Sequence, residues 1–346
     1  MVLKVGVVRD ERYLEHKPGL IHPEHPNRLK SIYGMLDREF PEGLFRVEPE
    51  LATMEQLELV HTSSYIEKVM KTAEQDFTYL APDTPASSNT YKAAFLAAGG
   101  CVKAIDFLLS GACDACLALV RPPGHHALPD QASGFCIFNN LAVAARYAVS
   151  KQGLSRVLIV DWDIHHGQGL QDIFYEDNRV LYFSTHFMGF YPQTGPWTDV
   201  GSGEGAGYTV NIPLPREAGD GDMLYVYRRV LGPIMRRYRP QLVLVAAGFD
   251  AHKEDPLGRG SLTERGFFCL SRLLRELREE NNAPPILFSL EGGYDLRALA
   301  GSVKEVIRAL RTDESPSLCD GMKEGAGAKQ WVERARRIHA SYEVWA

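Results

Sequence analysis

Over Asp161-Trp-Asp163-Ile-His165-His166-Gly-Gln168 the sequence sets two carboxylates and an imidazole at alternate positions. In extended chain, residues i, i+2 and i+4 point to one side, so Asp161, Asp163 and His165 converge on one spot. A further carboxylate, Asp250, closes the apolar run that begins at Gln241. Asp163, His165 and Asp250 together suit a divalent metal with one position left open, and an open position implies catalysis. A metal held this way polarises a carbonyl and activates water at neutral pH, which makes amide or ester hydrolysis the natural reaction. Arg121-Pro-Pro-Gly-His125-His126 then offers a general base for that water and an acid for a leaving amine. Two prolines stiffen that loop and hold its histidines. In Glu291-Gly-Gly-Tyr294, two glycines let a tyrosine hydroxyl swing toward a developing oxyanion.

Each of these groups follows a short apolar run. Val157–Val160 is too short for a helix and rich in branched side chains, as in strands buried on both faces of a parallel sheet. Lys4–Val8, Leu117–Val120, Val180–His186, Gln241–Ala247 and Ile286–Leu290 read the same way. Open parallel sheets bind ligands beyond the carboxyl ends of their strands, where the polar clusters fall. Helices are expected from Pro26 to about Phe40, Ser63 to Gln75, Thr90 to Leu109, Asn139 to Lys151, Asp222 to Tyr238 and Thr263 to Glu280. Thr53-Met-Glu-Gln56 has the form of a capping box. The prolines make Tyr79–Pro85 a loop, and the glycines of Gly201–Gly207 make a mobile turn; no strand-to-helix context or following Lys-Ser/Thr supports a phosphate loop there. Trp331, Ala335, Ile338 and Tyr342 mark an amphipathic tail helix, expected to pack on its own domain, with dimerisation through it left open. Alternating strands and helices predict an α/β fold, a central parallel sheet with helices on both faces.

The 346 residues are 45% hydrophobic, enough for one large core. We expect a catalytic domain over 1–315 and a tail over 316–346. A net charge of -6 argues against direct nucleic-acid binding. Six scattered cysteines lack a secreted disulfide pattern, and Cys113-Asp-Ala-Cys116, which runs into a strand, reads as packing. No stretch suits a signal peptide or a membrane span, so a soluble, cytoplasmic protein is expected.

The motifs Arg121-Pro-Pro-Gly-His-His126, Gly134-Phe-Cys-Ile-Phe-Asn-Asn140, Asp161 to Gly169, Ala247-Gly-Phe-Asp-Ala-His252 and Glu291-Gly-Gly-Tyr294 resemble, in order and spacing, those of the zinc-dependent histone deacetylase and acetylpolyamine amidohydrolase superfamily. The likeness covers most of residues 1–311. It implies the single-domain arginase-deacetylase fold, with Zn2+ on Asp163, His165 and Asp250. It also implies that His126 is the principal base and acid, His125 an electrostatic partner and Tyr294 the oxyanion donor. Asp161 would orient His125 and, with carbonyls near Asp163, His165 and Thr185 and the Ser184 hydroxyl, hold a structural K+. Phe135 and Tyr191 would wall a narrow tunnel, with Gly134 and Gly293 also lining the substrate site, and Asp83 would grip a substrate backbone. Expected substrates are acetyl-lysine in a peptide or protein, or a small acetylated amine such as an acetylpolyamine.

This sequence departs from relatives at two of these positions. Gln168 stands where many carry Asp or Asn; a neutral amide supports an imidazolium less, so His126 should have a lower pKa. Tyr191 replaces a common tunnel phenylalanine. Arg265 lies near where polyamine-selective relatives carry an acidic gatekeeper, which tilts the expectation toward acyl-lysine. A catalytically idle binding protein is the reading from another class; intact ligands, histidines and Tyr294 weigh against it. A binuclear manganese ureohydrolase would want more Asp ligands in place of the His-His pair.

Overall fold

The computed structural model describes residues 2–313, 319–342 and 344–345. Its strands are β1 (Val5–Val8), β2 (Phe45–Val47), β3 (Phe77–Ala81), β4 (Thr84–Ser87), β5 (Ala115–Ala118), β6 (Val157–Asp161), β7 (Val180–Phe187), β8 (Thr209–Leu214), β9 (Leu242–Ala247) and β10 (Ile286–Leu290). Eight of them form one sheet in the order β2-β1-β5-β10-β9-β6-β7-β8, and every pairing in it is parallel. Residues of β5 to β10 are buried throughout. That explains why β5, β6, β7, β9 and β10 read as apolar runs: a strand covered on both faces has no solvent side to alternate with. Within this sheet the edge strand β2 is the largely exposed one, and its three residues carry no usable pattern.

The helices are α1 (Asn27–Glu39), α2 (Met54–Leu57), α3 (Ser63–Met70), α4 (Thr90–Leu109), α5 (Asn140–Ser150), α6 (Gln168–Phe174), α7 (Asp220–Val226), α8 (Gly232–Tyr238), α9 (Glu264–Glu280), α10 (Leu296–Arg311) and α11 (Ala326–Ile338). One layer joins α4 to α5; the other runs from α1 through α10 and α9 to α7 and α8. α11 lies on α7 and β8.

Several expectations need correction. Tyr79–Pro85 is no loop: β3 and β4 pair as an antiparallel hairpin, because a proline can sit in a two-stranded ribbon without leaving a ladder bond unmade. The Asp222–Tyr238 stretch starts at Asp220 and is interrupted by a π-type turn at Tyr227–Leu231. The helix begun at Ser63 ends at Met70 and tightens into a 3-10 turn. Gly201–Gly207 is a turn as read, with bonds from the Ser202 amide to the Tyr175 carbonyl (2.9 Å) and from the Gly207 amide to the Val200 carbonyl (2.6 Å). Cys269 and Cys319 form a disulfide, so packing describes only Cys101, Cys113, Cys116 and Cys136, all buried and free. The capping box at Thr53 is present as read.

A satellite core of Leu57, Tyr65, Ile66, Val69, Ile137 and Phe138 sits beside the main one. Burying an aromatic or large aliphatic side chain stabilises by roughly 1.5–3 kcal/mol. Here that apolar contact anchors the 133–139 segment, and the Tyr65 hydroxyl adds a 2.7 Å bond to the Ile137 carbonyl.

Candidate metal centre and catalytic pocket

Where β6 ends, the chain keeps the alternation that its sequence shows, and Asp161 and Asp163 remain fully buried. Asp163 Oδ1 accepts from the His165 amide and from His165 Nδ1, both at 2.9 Å. Its Oδ2 accepts from the Gly292 amide at 2.9 Å. From the end of β9, Asp250 Oδ2 comes 3.1 Å from His165 Nδ1. Ligand atoms of Asp163, His165 and Asp250 lie within 4.8 Å of one another. Beyond that approach to His165, buried Asp250 Oδ2 accepts no well-aligned hydrogen bond among the described residues, a costly state for a carboxylate unless a cation meets it. Burial, with the charge of Asp163, pushes the Asp250 carboxyl up to about 7. Burial disfavours a charged His165, but Asp163 and Asp250 outweigh it and lift the ring to about 10. Two carboxylates repelling each other across one imidazole fit a divalent cation such as Zn2+.

Two glycines make this approach possible. A Cβ on Gly248 would lie 2.0 Å from Asp163 Oδ2, and one on Gly292 would lie 2.1 Å from Asp250 Oδ2. Gly292 therefore serves the carboxylates, whereas Gly293, at φ +116°, makes the turn that delivers Tyr294. Both were read from sequence only as freedom for the tyrosine.

The histidine pair hangs from the loop after β5. His125 Nδ1 lies 3.1 Å from Asp161 Oδ2, whose other neighbour there is the Tyr182 hydroxyl at 3.0 Å. Burial lowers a charged His125, yet Asp161 and Asp163 outweigh it and raise the ring to about 10. His126, its ring 3.9 Å from that of His125, goes the other way: burial, then the charges of His125 and His165, hold it well below the ordinary value. Its Nδ1 lies 2.6 Å from Gln168 Oε1. Gln168 is fixed in turn, its amide donating to the His126 carbonyl (3.3 Å) and Ser133 Oγ (3.1 Å).

Phe135 has φ +68° and follows Gly134 at φ +55°. A left-handed phenylalanine costs on the order of 1–3 kcal/mol and persists only where its surroundings enforce it. Asp83 Oδ2 accepts from the Gly134 amide (3.1 Å) and Thr84 Oγ1 from the Phe135 amide (3.2 Å), so the β3–β4 tip supplies that enforcement. The Phe135 ring stands 6.0 Å from Tyr294 and 4.6 Å from His22. Tyr191 packs edge-on to His126 at 5.1 Å and bonds Ser133 Oγ at 2.6 Å. Phe135, Tyr191, His126 and Tyr294 thus come together around the cluster, with Gly134 and Asp83 at the margin. The Gly293 carbonyl is turned to Arg28 Nε at 2.6 Å. β6–β7 register sets Asp161 beside Ser184; Ser184 Oγ lies 2.9 Å from His186 Nδ1, and the Thr185 hydroxyl 3.1 Å from that of Tyr227.

Arg265 does not join them. Its guanidinium reaches the Asp320 carbonyl at 3.4 Å, on the side of the tail.

Residues unread in sequence brace the pocket from beneath. Buried Glu24 binds Arg121 through Oε1 and through Oε2 (2.7 Å), and Arg28 Nη1 through Oε1 (3.0 Å). Arg28 also donates to the Glu291 carbonyl, and its guanidinium lies 5.0 Å from the Tyr294 ring centre. The Glu24–Arg28 spacing of i, i+4 was the one available signal. Asp255 Oδ2 accepts from the Tyr294 amide at 2.6 Å.

A family model described as Histone deacetylase domain matches residues 22–310. A protein of Archaeoglobus fulgidus named "Probable deacetylase" is 35% identical over 97% of this chain and 98% of its own. Human "Polyamine deacetylase HDAC10" is 37% identical over 92% of this chain and 49% of its own. The crystal structure of the HDA15 HD domain superposes with a TM-score of 0.91 at 36% identity, over 99% of this chain and 95% of that one. With the parallel sheet and the matched domain in agreement, the chain belongs to the histone deacetylase family.

Proposed function

We propose that this member of the family is a Zn2+-dependent amidohydrolase that removes acetyl or related acyl groups from lysine side chains. The observation that carries the reading is the buried Asp-His-Asp cluster, in which Asp250 Oδ2 approaches His165 Nδ1 but accepts no well-aligned hydrogen bond, with the ring of His126 5.9 Å from that of His165. Asp163, His165 and Asp250 would hold the ion, which when bound polarises the acyl carbonyl and acidifies water. The Nδ1 proton of His126 is committed to Gln168, leaving Nε2 to take a proton from the attacking water and return it to the leaving amine. His125, held charged by Asp161 and Asp163, stabilises negative charge beside it. Tyr294 donates its hydroxyl to the oxyanion. Phe135 and Tyr191 exclude water from an aliphatic chain, with Gly134 and Gly293 shaping the same passage. Asp83 keeps lone pairs for a substrate backbone amide, which favours a peptide over a free polyamine.

A structural K+ on Asp161, Ser184 and the main chain near Asp163, His165 and Thr185 belongs to the same proposal, supported by the Asp161–Ser184 register. So does a catalytic domain over 1–315 with a tail, 316–346, packed on it, although residues 314–318 at that boundary lie outside the described ones. No helix of the described residues is long and apolar enough to cross a membrane. A cytoplasmic location is supported by four free buried thiols, while the Cys269–Cys319 disulfide weighs against it.

A substrate panel on zinc-loaded protein tests the proposal, pairing acetyl-lysine peptides with acetylspermidine and longer acyl-lysines. Faster turnover of the peptides, abolished by a chelator and restored by Zn2+, is the expected result. Preference for acetylspermidine would move the assignment to polyamines, and activity indifferent to chelation would remove the metal from it.

A further inference from the structure

Beside the Asp-His-Asp cluster lies another set of metal-competent groups. A ring nitrogen of His125, Cys136 Sγ and a carboxylate oxygen of Glu291 lie within 4.8 Å of one another, all three residues buried. His125 Nδ1 is occupied by Asp161, so Nε2 is the nitrogen left for an ion. Glu291 Oε2 accepts from the amides of Gly124 (2.7 Å) and His125 (3.1 Å). Its Oε1 has no hydrogen-bond partner among the described residues despite complete burial. The Cys136 thiol donates to the Gly134 carbonyl at 3.4 Å and its sulfur meets the His126 main chain. A tight bridge between Ser133 and Cys136 sets its direction.

We propose that His125, Cys136 and Glu291 form a second, inhibitory site for a thiophilic divalent cation such as Zn2+, Cd2+ or Co2+. Bonds of about 2.0–2.3 Å in a tetrahedral shell put donors about 3.3–3.8 Å apart. The donors, counted with one ring nitrogen of His125, spread over at most 4.8 Å, so the shell closes with about an ångström of side-chain adjustment that brings Nε2 to the ion. The donor set of sulfur, imidazole and carboxylate suits borderline and soft ions and not Mg2+ or Ca2+. To ligate the ion, Cys136 must present a thiolate, His125 a proton-free Nε2 and Glu291 a carboxylate, so the thiol proton and any proton on His125 Nε2 or Glu291 Oε1 leave to solvent. Because His125 Nε2 is also 4.0 Å from Asp163 Oδ2, the ion would sit against the first site. It would take His125 out of use and place positive charge beside His126. The inhibitory consequence rests on the function proposed above; the site itself does not.

The test uses full-length protein carrying one equivalent of Zn2+, in a Cys113→Ser/Cys116→Ser background that removes the other close thiol pair. Adding Co2+ or Cd2+ should produce a thiolate-to-metal charge-transfer absorption that saturates at one further equivalent. The Asp-His-Asp cluster contains no sulfur and cannot give it. Turnover should fall in parallel by about a hundredfold, the scale of losing an acid–base group. Cys136→Ser and Cys136→Ala should lose both the absorption and the inhibition while keeping basal turnover. Absence of the band in the parent protein, or its persistence in a folded Cys136 variant, overturns the site whatever the enzyme's substrate. Should the band appear without inhibition, the site would stand and its regulatory role would fall.

Discussion

Gln168 Oε1 lies 2.6 Å from His126 Nδ1, so the proposed base leans on an uncharged amide. Burial and the neighbouring charges of His125 and His165 already hold His126 low, and the amide does little to oppose them. Gln168→Glu places a carboxylate at the same reach, and an adjacent opposite charge raises a histidine by about 1–3 units. A base works only when neutral, so the acidic limb of kcat/KM against pH should move upward by about one unit or more. A limb that stays in place in the Glu variant would mean that His126 is not the group it reports.

Tyr294 and Asp250 should separate cleanly. Tyr294→Phe removes one donor to the oxyanion, and such a loss costs about 10²–10³ in kcat, with zinc content and KM near those of the parent. Asp250→Ala removes a ligand and should abolish stoichiometric zinc by elemental analysis. Full activity in the Tyr294 variant would take it out of the mechanism.

His61 offers a prediction about stability. Its Nδ1 lies 3.1 Å from the Leu128 carbonyl, and its Nε2 accepts from the Asn139 amide at 2.9 Å. A proton on Nε2 would face an N–H, so the folded protein keeps the ring neutral, and burial lowers it from 6.5 to about 4. The unfolded chain takes up the proton near 6.5. This contribution is complete above that pH and is lost as pH falls toward 4. One unit corresponds to about 1.4 kcal/mol, so His61 alone removes about 3 kcal/mol across that window. Urea midpoints at pH 7.5 and 5 should diverge, and His61→Gln should narrow the divergence while lowering stability at pH 7.5.

The parts of this molecule legible in sequence are those that local periodicity dictates. Helix α4 was read to both ends, Thr90–Leu109, and Asp161, Asp163 and His165 follow from alternation alone. The brace of Glu24, Arg28 and Arg121 was not legible, because Arg121 meets Glu24 across 97 residues and no local pattern encodes such a meeting. Glu291 shows the same limit. In sequence it precedes a flexible glycine pair, whereas in the fold its carboxylate accepts from the amides of Gly124 and His125. Strand β8 was missed because Asn211 and Pro213 interrupt its apolar run, and a buried Asn211 is tolerable only once its amide meets Gln171 Oε1 at 2.7 Å.

Gly292 tests how tightly the backbone defines the metal centre. Its amide donates to Asp163 Oδ2 at 2.9 Å, and an added methyl would stand 2.1 Å from Asp250 Oδ2 and 2.6 Å from Asp163 Oδ2. These contacts are closer than any real Cβ makes, so in Gly292→Ala the carboxylates must part. The position is not in the left-handed region, so alanine there meets no positive-φ penalty. The damage should therefore fall on the ion and not on the fold. Zinc affinity, measured by competition with a chelating dye, should drop about 10–100-fold, the scale of losing support around a ligand. The melting temperature of the metal-free protein should change little. Unaltered zinc affinity in this variant would show that the two carboxylates need not come together, and the metal centre proposed here would lose its geometric basis.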